Sequence, residues 1–464
     1  MRAVRLPGSS DDARVRDLVF IAFLAALFGF GLKRPFLLVL VYIYIDIVSP
    51  QRLTYYLLNA VPISLIAVLA AVGGWALTDD KRGLRIAPRQ ILIGLLLVYC
   101  GITTRFADFP IEAADKWDWV WKALAFGAFL PFTLRTRLRI EALLLFMTLS
   151  AGSIIIVGGI KTLASGGGYG ELNLMVTNNT GLYEGSIISA VAITMIPIIL
   201  WLAKYGTIFR PDWRVRGFAW ALVFACLLIP VGTSARTGLL CIGLLAVLML
   251  RDVKRRLLYL AALGVAGLIA TPLLPSSYTE RMGTIKTYQG DESASTRLAV
   301  WAWTWDYAKS HPLGGGFNAY LQNRVSYELV ETSGTAANTQ TDRRRAQDKA
   351  RAYHSSYFEV LGEQGWPGVI LWLSINIGGL IRMEILRRRH RSEDDPLRWG
   401  GALAGALQHA HLVYLLGAAF VGIAFNPFIY QLIGAQIGLD TYLTARRSAA
   451  TKRNFARHAA AAAA

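Results

Sequence analysis

Charged residues are scarce in this chain, at 17% of 464 residues, against about 25% in a typical soluble domain. Acidic residues are scarcer than basic ones, with 30 Asp and Glu set against 48 Lys and Arg. Cysteine is scarcer still. The three, Cys100, Cys226 and Cys241, all lie within apolar blocks, and none sits in a polar loop with a partner, so a disulfide framework is not expected. Several catalytic signatures are missing. There is no HExxH, no CxxC pair and no clustered set of carboxylates, so neither a metal site nor a cofactor is expected. His409 and His411 stand two apart on an expected helix and point to nearly opposite faces, which prevents them from sharing one ion. The Gly166-Gly167-Gly168 run lacks the lysine of a phosphate-binding loop, and no GxSxG occurs. No repeat of fixed period is found.

What the chain has instead is apolar residue, 54% of the total, gathered in blocks. A helix needs about 20 such residues to cross the hydrocarbon of a bilayer. In lipid the backbone must satisfy its own hydrogen bonds, so such blocks become helices. Candidate spans run over 18–32, 35–48, 57–78, 90–106, 119–134, 140–160, 185–206, 218–232, 238–250, 257–274, 366–383, 403–424 and 427–443. The expected fold class is an all-α polytopic membrane protein of about 12–13 transmembrane helices with one large, partly helical periplasmic loop. Residues 1–274 form the N-terminal transmembrane helices, 275–365 the loop subdomain, 366–445 the C-terminal transmembrane helices and 446–464 a cytoplasmic tail. The Ala-rich end after His458 is expected to be disordered. No cleavage site follows the first apolar block, so a removable signal peptide is not expected.

The net charge of +18 does not point to nucleic acid, because the basic residues cluster at the ends of apolar blocks. That placement is the orientation signal of a membrane protein. Clusters at Lys81–Arg89, Arg135–Arg139, Lys204–Arg216, Arg251–Arg256, Arg387–Arg391 and Arg446–Arg453 mark cytoplasmic loops. The acidic stretch with Asp108, Glu112, Asp115 and Asp118 falls outside. Thirteen spans put the N-terminus outside and twelve put it inside, and both counts stay open here.

Three outer elements carry the candidate chemistry: 161–184, the turn 232–238 and the long segment 275–365. Arg236 breaks the charge rule by lying at the outer boundary between two apolar blocks. A boundary arginine of that kind is a candidate functional group, with lipid-headgroup contact as the plainer account. Arg297, Trp301 and Trp305 recur every fourth residue and so share one stripe of an expected helix that starts near Ser293 or Ser295. That stripe suits an interfacial anchor, an anion ligand and an aromatic platform for sugar or lipid. His311-Pro312-Leu313-Gly314-Gly315-Gly316 ends the helix in a flexible turn, with His311 structural. A second loop helix is expected from Asp342 through Arg343, Arg344, Arg345, Lys349 and Arg351 to His354 and on to Tyr357, Leu361 and Glu363. Its basic run is a solvated face, with attraction to diphosphate or anionic headgroups as an addition.

These residues together resemble the O-antigen ligase and polymerase superfamily. The resemblance rests on Ser234-Ala235-Arg236-Thr237-Gly238, on Arg297, Trp301 and the His311–Gly316 turn, and on His354-Ser355-Ser356-Tyr357 with Leu361, Glu363, Gly365 and Gly368. It covers roughly residues 140–440. Asn178-Asn179-Thr180-Gly181 looks like the asparagine-containing segment before a family span. Lys33-Arg34-Pro35, Asp46 and Ser49-Pro50-Gln51-Arg52-Leu53-Thr54 look like the branch of exosortase-associated O-glycosylation ligases. The chain departs from the commonest Ser-Arg pair, since Ala235 stands between Ser234 and Arg236.

The resemblance implies transfer of a glycan from undecaprenyl diphosphate to a glycan, lipid or protein hydroxyl, without a metal, at the periplasmic face of the bacterial inner membrane. It implies that Arg236 and Arg297 hold the donor diphosphate and that His354 activates the acceptor. Asn179, Trp301, Trp305, Arg351 and Tyr357 are candidate substrate contacts. The partners are the lipid-linked donor, the acceptor and the bilayer, with no nucleic acid. The chemistry agrees with these roles. A diphosphate is already a good leaving group and needs its charge stabilised, which a guanidinium does with a fork matched to phosphate oxygens. A neutral hydroxyl needs a base at the moment of attack, and histidine has near-neutral basicity. A repeat-unit polymerase, a lipid-linked glycan flippase and a non-catalytic assembly subunit remain as alternatives. A flippase would carry charge through several spans, whereas here charge gathers at the outer face.

Overall fold

The computed structural model describes residues 9–54, 61–167, 181–251, 292–335 and 338–463, with single positions at 58, 255, 258, 261 and 265. The expected span 257–274 falls largely outside the described residues, as does Asn179. The helices are α1 (Ser9–Lys33), α2 (Phe36–Val48), α3 (Pro50–Leu53), α4 (Ile63–Thr78), α5 (Pro88–Arg105), α6 (Pro110–Thr133), α7 (Arg137–Ser165), α8 (Gly185–Tyr205), α9 (Trp213–Gly232), α10 (Arg236–Met249), α11 (Glu292–Ser310), α12 (Ser356–Arg389), α13 (Arg398–Ala418) and α14 (Pro427–Ala463). One antiparallel hairpin, β1 (Arg324–Thr335) and β2 (Asn338–Lys349), lies between α11 and α12. The chain is an all-α polytopic membrane protein. Among the described residues α7, α8, α9 and α12 are long and apolar enough to cross a bilayer, and α2, α4 and α10 are apolar but shorter.

The core is built around α8, which is buried on nearly every side and packs against α9, α10 and α13. Its sequence explains this. Small residues, Ser189, Ala190 and Ala192, alternate with Ile188, Val191 and Ile193, so neighbouring helices approach closely while the gaps stay filled. Glu184 caps its start by accepting from the Ser186 and Ile187 amides, satisfying donors that a helix leaves open.

Two ends of the bundle differ in charge. At one end Arg139 forks onto Asp79, with bonds of 2.5 and 2.8 Å, and lies 5.0 Å from the Phe36 ring. Arg137 pairs with Glu141 at 2.6 Å there. α1 runs antiparallel to α2, as the edge-on Phe23–Tyr44 contact at 5.1 Å requires, so α1 starts from the opposite end. That opposite end carries the loop 292–355 and the starts of α6, α8, α10 and α12.

Three sequence expectations change. The stretch from Asp342 to Lys349 is strand β2 rather than helix, paired with β1 in the register Arg324↔Lys349 to Thr335↔Asn338. Its residues show no apolar period of 3.6, and β1 with Val325, Tyr327 and Val330 supplies a pairing edge that outweighs local helix preference. The helix that follows begins only at Ser356. The turn after α11 is pinned, not flexible: Gly315 N–H donates to Gly362 O at 3.1 Å, Gly316 N–H to Glu363 O at 2.9 Å, and Gly315 O accepts from Asp108 N–H at 2.9 Å. The Ala-rich C-terminus continues α14 to Ala463, in keeping with alanine's helix preference.

Candidate functional site

α11 and the start of α12 hold each other through the tryptophan stripe. Trp301 Nε1–H donates to the Tyr353 carbonyl at 2.8 Å, and its ring stacks on Phe358 at 5.1 Å with planes 7° apart. Trp305 meets Trp366 edge-on at 5.4 Å. The two tryptophans thus face α12, and Arg297 sits one turn before Trp301 on the same stripe.

His354 follows Tyr353 and has φ 47°, a left-handed conformation uncommon outside glycine. Its neighbours dictate that conformation. Asn323, fully buried, accepts from Arg351 N–H at 3.0 Å and donates through Nδ2 to Arg351 O at 2.7 Å. On the other side Ser356 Oγ donates to Val421 O and accepts from Ile423 N–H, both at 2.9 Å. The backbone on either side of His354 is therefore fixed while the imidazole keeps an accessible face. Partial burial pushes its pKa below the ordinary histidine value, and the positive charges of Arg297 and Arg351 push it further the same way. Arg351 also pairs with Asp348 at 2.8 Å. Tyr357 donates to Leu415 O at 3.2 Å and meets Trp372 edge-on at 5.2 Å, tying α12 to α13.

Arg236 opens α10. The turn before it has Ser234 at φ 51° and Thr233 hydrogen-bonded to Ser189 of α8 at 2.8 Å. A Cβ on Gly238 would lie 2.6 Å from Pro230, so only glycine lets α9 and α10 meet this closely. The start of α8 is at the His354 end of the bundle, and Arg236 is therefore at that end too. The structure brings Arg297 and Arg351 to His354. Arg236 shares their end, on helices that pack against α13, which in turn packs against α12.

A group that sequence reasoning missed lies at the helix that follows His354. Lys116 of α6 donates to Glu359 at 2.7 Å and to both oxygens of Glu363 at 2.8 Å. Side-chain exposures of 12%, 8% and 0% make this a buried triad. The amides of Ala424 and Asn318 donate to Glu359 and Glu363 at 3.1 and 3.0 Å. Lys116 also lies 5.4 Å from the Phe317 ring and 5.6 Å from Phe425. The available signal was modest: Lys116 is a cation inside an acidic stretch, and Glu359 and Glu363 stand one helical turn apart.

Beside the triad a cavity of about 480 Å³ opens between the end of α2, α3, the start of α6 and the Gly422–Phe428 turn, with Glu359 on its wall. Among the described residues no group of three His, Cys, Asp or Glu is placed to hold a metal ion.

The family comparison follows this division of the chain. Residues 220–373 match the family described as O-antigen ligase. This match supports the O-antigen ligase superfamily and a membrane glycosyl-transfer enzyme of ligase or polymerase type, whose partners are in general a lipid-linked glycan and an acceptor. It contains Arg236, Arg297, His354, Glu359 and Glu363, whereas Lys116 lies in residues 15–207, which match a family of unknown function (DUF5935). No curated protein matches the chain.

Proposed function

We propose that this O-antigen ligase-like chain is an inverting glycosyltransferase that moves a glycan from undecaprenyl diphosphate to an acceptor hydroxyl without a metal, at the periplasmic face of the bacterial inner membrane. The observation that carries this reading is the placement of His354 beside two guanidiniums, Arg297 and Arg351, whose charge together with partial burial favours the neutral imidazole. In the proposed step His354 takes the acceptor O–H proton. The acceptor oxygen attacks the anomeric carbon from the face opposite the diphosphate. The carbon–oxygen bond to phosphate breaks, and undecaprenyl diphosphate leaves with its charge stabilised by Arg297 and Arg236. A single direct displacement inverts the anomeric centre, in contrast to retention through a carboxylate nucleophile. The N-terminus of α10, which begins at Arg236, adds favourable electrostatics for an anion. The branch of exosortase-associated O-glycosylation ligases remains the reading for the N-terminal part. The periplasmic orientation is supported by the arginine pairs gathered at the end of the bundle remote from His354.

The test is transfer by purified protein in nanodiscs supplied with the isolated lipid-linked glycan and acceptor. The parent is expected to form product and His354→Ala to form none. An active His354→Ala protein rejects the base assignment, and an inactive parent rejects the enzyme reading. A ladder of repeats in the product identifies a polymerase, and a single transfer identifies a ligase.

A further inference from the structure

The cavity beside the Lys116 triad is not needed to explain the chemistry at His354. Its walls come mostly from the segment that matches a family of unknown function: Asp46, Gln51, Arg52, Asp118 and Lys122, with Glu359 from α12. The volume of about 480 Å³ lies in the ordinary range for small-molecule sites.

The chemistry of the walls narrows the occupant. Each carboxylate already has a partner. Asp46 accepts from Gln431 at 2.6 Å, Asp118 pairs with Lys122 at 2.9 Å, and Glu359 pairs with Lys116 at 2.7 Å. A metal cation would have to strip these contacts. A diphosphate would meet the carboxylate of Asp46, whose partner Gln431 carries no charge. A lipid chain would leave a polar lining dry and unsatisfied. Two groups remain open to a ligand. Gln51 Oε1 is buried on the wall without a hydrogen-bond donor. Arg52 makes no ion pair among the described residues. The wall thus offers a buried, unmet acceptor and a solvent-exposed guanidinium free to donate, with the Trp119 and Phe425 rings also on the lining. A neutral polyhydroxyl ring meets all of these demands. Each hydroxyl both donates and accepts, and the ring's C–H faces suit aromatic planes.

We propose that this cavity binds sugar residues of the glycan chain. The assignment rests on the glycosyltransferase reading for the origin of the chain, but not for the binding itself. Glu359 on the cavity wall is five residues from His354. That chain length spans at most about 18 Å even when fully extended. A short oligosaccharide seated in the cavity is therefore within that length of the imidazole. Sugars could come from the lipid-linked donor or from a glycan acceptor, and the shared chemistry is the ring hydroxyl set.

Site-specific thiol labelling tests this. The native Cys100, Cys226 and Cys241 are all fully buried, so an introduced cysteine on the cavity wall is the reactive thiol. Gln51→Cys and, as an independent and nearly isosteric reporter, Ser64→Cys are each made in the full chain with His354→Ala, which stops turnover. Labelling by a water-soluble maleimide is followed in nanodiscs with three probes: lipid-linked glycan, undecaprenyl diphosphate without sugar, and the glycan acceptor. At a probe concentration about ten times its Kd, mass action predicts about tenfold slower labelling. Protection by the lipid-linked glycan identifies a donor-sugar site, and protection by the acceptor alone identifies an acceptor site. Unchanged labelling of both reporters with every probe overturns the proposal. Equal protection by sugar-free undecaprenyl diphosphate overturns it as well, because the cavity then reads lipid or phosphate. Protection by glycan in a chain whose parent shows no transfer keeps the sugar site and rejects only the enzyme reading.

Discussion

Substituting Lys116 isolates the energetic role of the buried triad. Lys116→Met keeps the length and the apolar stem of the side chain but removes the cation from between Glu359 and Glu363, which are 8% and 0% exposed. Two carboxylates then remain buried a turn apart, with the Ala424 and Asn318 amides as their donors among the described residues. Removing one partner of a buried ion pair costs about 3–5 kcal/mol. An unfolding entropy of about 2.1 cal/mol/K per residue gives about 1 kcal/mol/K for the 464-residue chain, hence a midpoint lowered by about 3–5 °C. Helices that persist in detergent reduce that entropy and enlarge the drop. The assay is thermal unfolding in detergent followed with a thiol-reactive fluorogenic dye, since the three cysteines become accessible only when helices separate. Adding Glu359→Gln and Glu363→Gln to Lys116→Met removes the unpaired charges and should recover most of the loss. A Lys116→Met midpoint within about 1 °C of the parent, or a triple variant no more stable than the single one, would refute the reasoning.

Three further outcomes are expected. Arg297→Ala should lower the transfer rate on the order of 10²-fold, and Arg297→Lys should recover little of it, because a single ammonium does not reproduce a bidentate fork; full activity of the lysine variant in the nanodisc assay would count against diphosphate contact. The rate should hold as pH falls through the ordinary histidine value of about 6.5 and drop only below it, because burial and the two guanidiniums depress the His354 pKa and the base form persists. Arg297→Met removes one depressing charge, so the same drop should begin at higher pH; a profile that stays still would detach Arg297 from His354. Gly365→Ala should abolish folded, monodisperse protein, since Gly365 has φ 62° and an added Cβ would lie 2.2 Å from Pro312 O; recovery of parental yield by size-exclusion chromatography would contradict that.

The helices were legible because the bilayer imposes one rule on every apolar block. The expected span 185–206 corresponds to α8 almost residue for residue, and 218–232 ends with α9, which begins five residues earlier at Trp213. The loop before α12 obeyed no such rule. Arg343, Arg344 and Arg345 carry no apolar period, so local preference alone decided the expectation, and pairing with β1 decided the structure. Arg297, Arg351 and His354 were all singled out from residue type and position, and the structure places the two arginines in the electrostatic environment of the histidine. Lys116 was not readable, because its bond to Glu363 joins residues 247 apart and chain order gives no sign of it. The cavity was hidden for the same reason: its walls come from six separate stretches of chain.

The two matched segments are interlocked at the site end, and this constrains what the N-terminal segment does. Lys116 reaches Glu359 and Glu363, Thr103 Oγ1 meets Gln364 Oε1 at 2.5 Å, Tyr99 donates to Leu313 O at 2.9 Å, and Tyr307 donates to Asp108 at 2.5 Å. Every one of these bonds runs from the segment 15–207 to the segment 220–373. They converge on the first turns of α12, on the last turn of α11 and on the Pro312–Gly316 turn packed against Gly365. Burying Glu363 needs a cation, and among the described residues its ion-pair partner is Lys116. The left-handed backbone at His354 is in turn held by its neighbours on both sides, and α12 is one of them. The segment of unknown function therefore supplies the counter-charge that lets the start of α12, next to His354, keep its shape. Glu359 belongs both to that interlock and to the cavity wall, so a ligand seated in the cavity would touch the same helix that begins just after His354.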